Sequence, residues 1–261
     1  MGAPMTTCAP ETLTLRSLSD NALIAIERLQ AHEPPEGYWL AFSGGKDSIV
    51  IYDLAKRAGV KFDAHYNITG IDPPAVVQFI RQHYPAVSQD KPPHSFWMEL
   101  DKRGLPRRQG RWCCEFLKER GGHGRIVVTG VRWAESTRRK ATRRLYELCY
   151  KDGTKHFLNP LLDWTNQEVW AYIRERQIPY CTLYDEGYKR IGCILCPMAS
   201  RAERKRDMAR WPKITEAWRR AADRYWQHSE AAKTIGSPDD FWTWWLSDTA
   251  RRDKAQMVMF E

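Results

Sequence analysis

The feature that most restricts how this chain can fold is the stretch Trp39-Leu40-Ala41-Phe42-Ser43-Gly44-Gly45-Lys46-Asp47-Ser48-Ile49. Tyr38 to Phe42 is a short apolar run and reads as a buried strand. Ser43 to Ser48 reads as a glycine-rich turn, and Ile49 to Arg57 as a helix ended by Gly59. Strand, turn and helix follow one another with no linker.

The same alternation continues downstream. Residues 13 to 32 read as a first helix, broken by Glu33-Pro34-Pro35-Glu36-Gly37. Lys61 to Asn67 reads as a second strand, and Pro73 and Pro74 open a helix to about His83, since proline suits a first helical turn. Arg125 to Val131 and Phe157 to Leu162 are further strands. Thr165 is an N-cap with Glu168 three residues on, for a helix to about Arg176. Strands alternating with helices imply an α/β domain with a mostly parallel sheet. The expected organisation is an N-terminal helical segment over 1–35, the α/β domain over 36–197, and a basic, Trp-rich helical extension over 198–261. No repeat or low-complexity tract interrupts it.

The turn predicts phosphate chemistry. Two glycines let the backbone approach a ligand closely, and their N–H groups join the free amides of the next helix in an anion site. Ser43 and Ser48 add hydroxyls and Lys46 adds charge. Asp47 makes sense if it orients the turn or meets Mg²⁺. The pattern is neither GxxxxGK[ST] nor GxGxxG. A second candidate element follows the Arg125–Val131 strand, where sites on open parallel sheets lie. There Gly130, Arg132, Ser136, Arg138 and Arg139 are candidates for nucleotide contact, the arginines through bidentate bonds to phosphate or sulfate.

Charge points the same way. Lys and Arg number 41 against 32 Asp and Glu, a formal net charge of +9. That favours a polyanionic partner, a nucleotide phosphate or DNA or RNA. No apolar run approaches the length of a membrane helix, and Met1 to Leu15 lack the pattern of a secretory signal. The 12 tryptophans read either as core or as a stacking surface.

Seven cysteines suit a reducing compartment, expected to be the cytoplasm. Cys113 and Cys114 are adjacent and make a poor disulfide. Cys193 and Cys196 form a CxxC followed by Pro197. Together they can supply four soft ligands, to a 4Fe-4S cluster or, as the alternative, to Zn²⁺. Cys149 and Cys181 read as buried small hydrophobes.

The Ser43–Ser48 hexapeptide resembles the SGGKDS loop of the PP-loop ATP pyrophosphatase superfamily. That superfamily includes PAPS and APS reductases, tRNA thiolation enzymes and the DNA phosphorothioation ATPase. The Arg111–Lys118 and Tyr184–Pro197 segments are similar to the paired-cysteine and CxxC regions of assimilatory APS reductases, and the likeness spans about residues 36 to 198. The resemblance implies an adenine-nucleotide alpha-hydrolase-like (HUP) parallel sheet flanked by helices. It implies a 4Fe-4S cluster on Cys113, Cys114, Cys193 and Cys196, and a pocket for ATP or an adenylyl sulfonucleotide with Mg²⁺. Lys46, Asp47 and Arg132 are then the candidate catalytic residues.

The reductases carry a catalytic cysteine in a C-terminal tail. No cysteine follows Cys196 here, and the sequence closes on Lys254-Ala255-Gln256-Met257-Val258-Met259-Phe260-Glu261. Reductase activity is therefore not the expectation. Two classes remain for one pocket: an ATP pyrophosphatase in sulfur transfer or nucleic-acid modification, with a cysteine desulfurase as sulfur donor, or a nucleotide- or nucleic-acid-binding subunit. Homo-oligomerisation stays open.

Overall fold

A computed structural model describes residues 15–247 of the chain. The closing Met257–Phe260 segment, Cys8 and the basic Arg251, Arg252 and Lys254 lie outside the described residues. In chain order the elements are α1 (Leu15–Ala31), β1 (Tyr38–Ala41), α2 (Lys46–Ala58), β2 (Phe62–Asn67), α3 (Pro74–His83), β3 (Ser88–Asp90), α4 (Phe96–Arg103), α5 (Trp112–Leu117) and β4 (Ile126–Val128). They continue with α6 (Thr137–Thr142), β5 (Tyr146–Leu148), β6 (His156–Leu158), α7 (Asn166–Glu175), α8 (Arg201–Arg210), α9 (Pro212–His228), α10 (Glu230–Lys233) and α11 (Pro238–Ser247).

The strands form one six-stranded sheet in the order β3-β2-β1-β4-β6-β5. β1 with β4, β2 with β3 and β4 with β6 are parallel, and β5 alone pairs antiparallel, against β6. This is the mostly parallel, helix-flanked sheet expected of the HUP class.

The chain divides into two units. One runs to Ala64 and resumes over Gly122–Tyr180; the other takes His65–Gly121 and the residues from Cys181 onward. The first unit buries Leu29, Leu40, Ile49, Leu54, Val128, Leu158, Trp164 and Ile173. Its helices end where the sequence signals. Gly59 caps α2 at φ +69°, a left-handed conformation glycine adopts without strain. Thr165 and Glu168 form the expected capping box of α7. Arg28 holds Asp163 through two hydrogen bonds of 2.7 Å, joining α1 to the segment before α7.

The second unit carries a core built on α4, α5, α9 and α11. Phe96 and Leu100 of α4, Cys113 and Leu117 of α5, Ile194 and Leu195, and Trp218, Phe241 and Trp245 are all buried in it. Trp218 sits between Phe96 and Trp245, at ring separations of 4.8 and 4.9 Å. The tryptophans of α9 and α11 thus serve mainly as core: Trp218 and Trp245 present no face to bases, and Trp226, Trp242 and Trp244 pack against the same cluster.

Several boundaries differ from the sequence reading. α2 begins at Lys46, so Lys46, Asp47 and Ser48 belong to its first turn and not to the loop. The strands expected at 125–131 and 157–162 are each three residues long. The elements β3, α4, α5 and β5 were not expected; each is short, and β3 and β5 have little apolar alternation to reveal them. Cys181 is buried as expected, whereas Cys149 is only half-buried.

Trp218→Ala should lower the stability of the second unit by about 3–5 kcal/mol, because it empties a fully enclosed site. Guanidinium unfolding followed by circular dichroism measures this, and a loss below about 1 kcal/mol would contradict the packing described.

Candidate functional site

The glycine turn sits at the carboxyl end of β1 in the first unit. Gly44 takes φ +70°, which only glycine adopts freely. Gly45 is the N-cap of α2 in an extended conformation and contributes no side-chain cap, so the first amides of α2 are left for a ligand. The two serines brace the turn from within. Ser48 Oγ donates to the Gly45 carbonyl at 2.9 Å and accepts from the Ser43 amide at 3.2 Å.

Behind the turn lies an ionic group of three, its two cations buried and Asp47 half-buried. Asp47 accepts a hydrogen bond from Lys46 Nζ on Oδ2 at 3.0 Å and from Arg132 Nε on Oδ1 at 2.7 Å. Lys46 is 4% exposed and Arg132 2%. Arg132 also donates from Nη1 to the carbonyl of Trp164 at 3.2 Å. Each carboxylate oxygen of Asp47 thus engages a cation. Gly130 is needed for the approach, because a Cβ there would lie 2.8 Å from the Asp47 Cβ.

The sequence-chosen residues thus divide. Ser43, Gly44, Gly45, Lys46, Asp47, Ser48, Gly130 and Arg132 are brought together. Ser136, Arg138 and Arg139 belong to the next element. Ser136 caps α6 by accepting from the Arg139 amide at 3.2 Å, Arg139 pairs with Glu135, and Arg138 is exposed. Trp164 was missed, and no sequence signal marks it, because only its backbone carbonyl is used.

The second unit holds the thiols. Cys113 and Cys114 lie on α5, and the Cys113 thiol donates a hydrogen bond to Cys114. That bond, helped by Lys118 and Arg111, lowers Cys114 to about 6 against the effect of burial, while Cys113 is raised. Arg111 Nη1 stands 3.9 Å from Cys114 Sγ. Burial pushes Cys193 up to about 12 against the pull of Lys118, and its thiol donates to Asp72 Oδ1 at 3.7 Å. Asp72 also accepts from the Tyr66 hydroxyl at 2.5 Å. Lys118 is raised above its ordinary value by its interactions with the Cys193 sulfur and the Asp72 carboxylate, against the effect of burial. It lies four residues past Cys114, one helical turn on, and that spacing was the available signal.

The Cys193–Cys196 turn is fixed by its backbone. The Ile194 amide donates to the Ile71 carbonyl at 2.8 Å, and the Leu195 amide to buried Asp207 at 3.1 Å. Leu195 is held at φ +58°, unusual for a residue with a side chain. The donor set, four thiols flanked by cationic Lys118 and Arg111, has the chemistry of a thiolate-held group. Among the described residues no group of three or more His, Cys, Asp or Glu side chains stands close enough to hold a single metal ion.

Comparison with known proteins agrees with the architecture. The model of the phosphoadenosine phosphosulfate reductase domain matches residues 37–199. An uncharacterized protein of Methanocaldococcus jannaschii is 30% identical over 71% of this chain, and the chain spans only 41% of that protein's length. An adenosine 5'-phosphosulfate reductase of Allochromatium vinosum is 28% identical over 75% of this chain and 82% of its own. The crystal structure of a phosphoadenylyl-sulfate reductase from Candida auris superposes with a TM-score of 0.50 at 21% identity, covering 71% of this chain and 98% of that one.

Asp47→Asn would leave Arg132 buried without its counter-charge. The expected cost is about 3–5 kcal/mol, read from the urea midpoint, and an unchanged midpoint would show that the trio is not held as described.

Proposed function

The chain belongs to the phosphoadenosine phosphosulfate reductase domain family, and we propose that it is an ATP pyrophosphatase-type enzyme: it adenylates an acceptor in sulfur transfer or nucleic-acid modification. The observation that carries this reading is the trio Lys46–Asp47–Arg132 set directly behind the open N-terminus of α2.

The amides of the glycine turn and of the first turn of α2 receive the β- and γ-phosphates. Lys46 and Arg132 add positive charge beside the α-phosphate, where negative charge grows as the bond to the pyrophosphate breaks. Asp47 holds both cations in place before substrate arrives, so little reorganisation accompanies the reaction. Mg²⁺ bound with the nucleotide would offset part of the phosphate charge. The acceptor's nucleophilic oxygen attacks the α-phosphorus, the bond to the β-phosphate oxygen breaks, and pyrophosphate leaves with the bond's electron pair. The outer sulfur of a desulfurase persulfide then attacks the acceptor and displaces AMP, and a thiol reductant cleaves the remaining S–S bond, leaving the sulfur on the acceptor and the desulfurase cysteine reduced.

Cys113, Cys114, Cys193 and Cys196 would hold a 4Fe-4S cluster, which supplies local electrostatic stabilisation when bound. The cationic Lys118 and Arg111 suit the charge of such a group. Zinc is the alternative occupant of the same four thiols.

Purified without oxygen, the chain should carry about four irons, and Cys113→Ser with Cys196→Ser should remove them. A colourless protein with one zinc would overturn the cluster. With ATP and Mg²⁺ and a competent acceptor, pyrophosphate should be released, and Gly130→Ala should slow this by roughly 100-fold by displacing Asp47. Release of orthophosphate, or binding without turnover, would overturn the adenylation reading in favour of a binding subunit. Sulfite formation from a sulfonucleotide would overturn it in favour of a reductase.

A further inference from the structure

The segment of the first unit that runs from α6 through β5 carries charge and aromatic surface that the nucleotide site does not use. Five of the seven residues from Arg138 to Arg144 are basic. The acids from 135 to 152 are all engaged by bases. Glu135 pairs with Arg139, Glu147 with Arg143 at 2.7 Å, and Asp152 with His123 at 2.6 Å. Their side chains are largely covered. The arm therefore shows solvent Arg138, Lys140 and Arg144, all exposed. Among the described residues no acid pairs with Arg138 or Lys140, and the Arg144 guanidinium bonds the carbonyls of Ala141 and Arg143.

The strand that follows adds apolar surface to the same face. Side chains alternate along a strand, and here Arg144, Tyr146 and Leu148 are exposed while Leu145 and Glu147 turn inward. Leu148 is 53% exposed, and Tyr150, just beyond in the turn, is 90% exposed. The Tyr146 ring already stacks on His156 at 5.1 Å and on His32 at 5.4 Å. β5 is the last strand in the sheet order.

Cations without acidic partners beside an open aromatic ring match a partner with phosphates and accessible base faces. A duplex hides those faces within its stack, whereas a single strand presents them. A second copy of this chain would bring the same positive charge against the arm. We infer that the α6–β5 arm binds single-stranded nucleic acid, with Arg138, Lys140 and Arg144 on phosphates and Tyr150 stacked on a base. This deepens the function proposed above by naming the class of acceptor, and it rests on that reading only for the chemistry that follows binding.

The test uses the full chain without ATP and fluorescein-labelled single strands of DNA or RNA of about 20 nucleotides, with a duplex of equal length as comparison. Fluorescence anisotropy should show salt-sensitive binding to a single strand, weaker for the duplex; the DNA and RNA arms identify the source. Lys140→Ala with Arg144→Ala should flatten the log–log salt slope by about 1.4, at about 0.7 per lost phosphate contact. Tyr150→Ala should weaken binding about tenfold and leave that slope unchanged. Wild-type affinity in a variant combining Lys140→Ala, Arg144→Ala and Tyr150→Ala, or equal affinity for the duplex, would overturn the inference. A change in mass by light scattering on Tyr150→Ala, with no change in oligonucleotide binding, would overturn it in favour of a second copy. Circular dichroism checks that each variant folds. Because the assay contains no ATP, strand binding without pyrophosphate release would sink only the proposed reaction. Pyrophosphate release without strand binding would sink only this inference.

Discussion

Arg132 is almost entirely enclosed, and its charge is tolerable there because Asp47 meets its guanidinium at 2.7 Å. Burying a cation costs several kcal/mol unless a counter-charge and further hydrogen bonds replace its water. Asp47 and the Trp164 carbonyl supply these, and Lys46 closes the group from the other side. The requirement dictates local detail across the first unit. α2 must begin at Lys46 so that consecutive side chains reach inward, and residue 130 must lack a Cβ so that Asp47 can approach. The ion trio contributes little net stability by itself. It holds two cations in place beside the N-terminus of α2.

The second unit applies similar physics to sulfur. Cys193 is held neutral by burial, and Cys114 is pulled toward the thiolate by its neighbour's thiol and by two cations. The turn between Cys193 and Cys196 is braced by hydrogen bonds that its own amides donate to the Ile71 carbonyl and the Asp207 carboxylate. Leu195 takes its positive φ where its amide meets buried Asp207 and its side chain lies in the core with Trp218 and Phe241.

Much of this was legible in the chain. The apolar run before two glycines announces β1, the turn and α2, since few residues other than glycine tolerate that backbone. Thr165 and Glu168 announce α7 through their own hydrogen bonds. Gly130 and Arg132 come beside the turn because parallel sheets gather strand ends on one side. The short elements were illegible. β3 and β5 hold three residues each and are recruited by pairing with their neighbours. Trp218 and Trp245 could have faced water or core on sequence alone, since tryptophan serves either place.

Residue type and local spacing therefore determined the chemistry available: an anion-binding turn, a set of four thiols and an excess of positive charge. They also determined the class of sheet, because strand–turn–helix alternation leaves few ways to bury both faces. Tertiary structure decided which charges neutralise one another. It gave Asp47 to Lys46 and Arg132, Glu135 to Arg139 and Glu147 to Arg143, and left Lys140 and Arg144 facing solvent. Sequence could not make that choice, because an ion pair depends on distance and burial, and both arise only when distant segments pack.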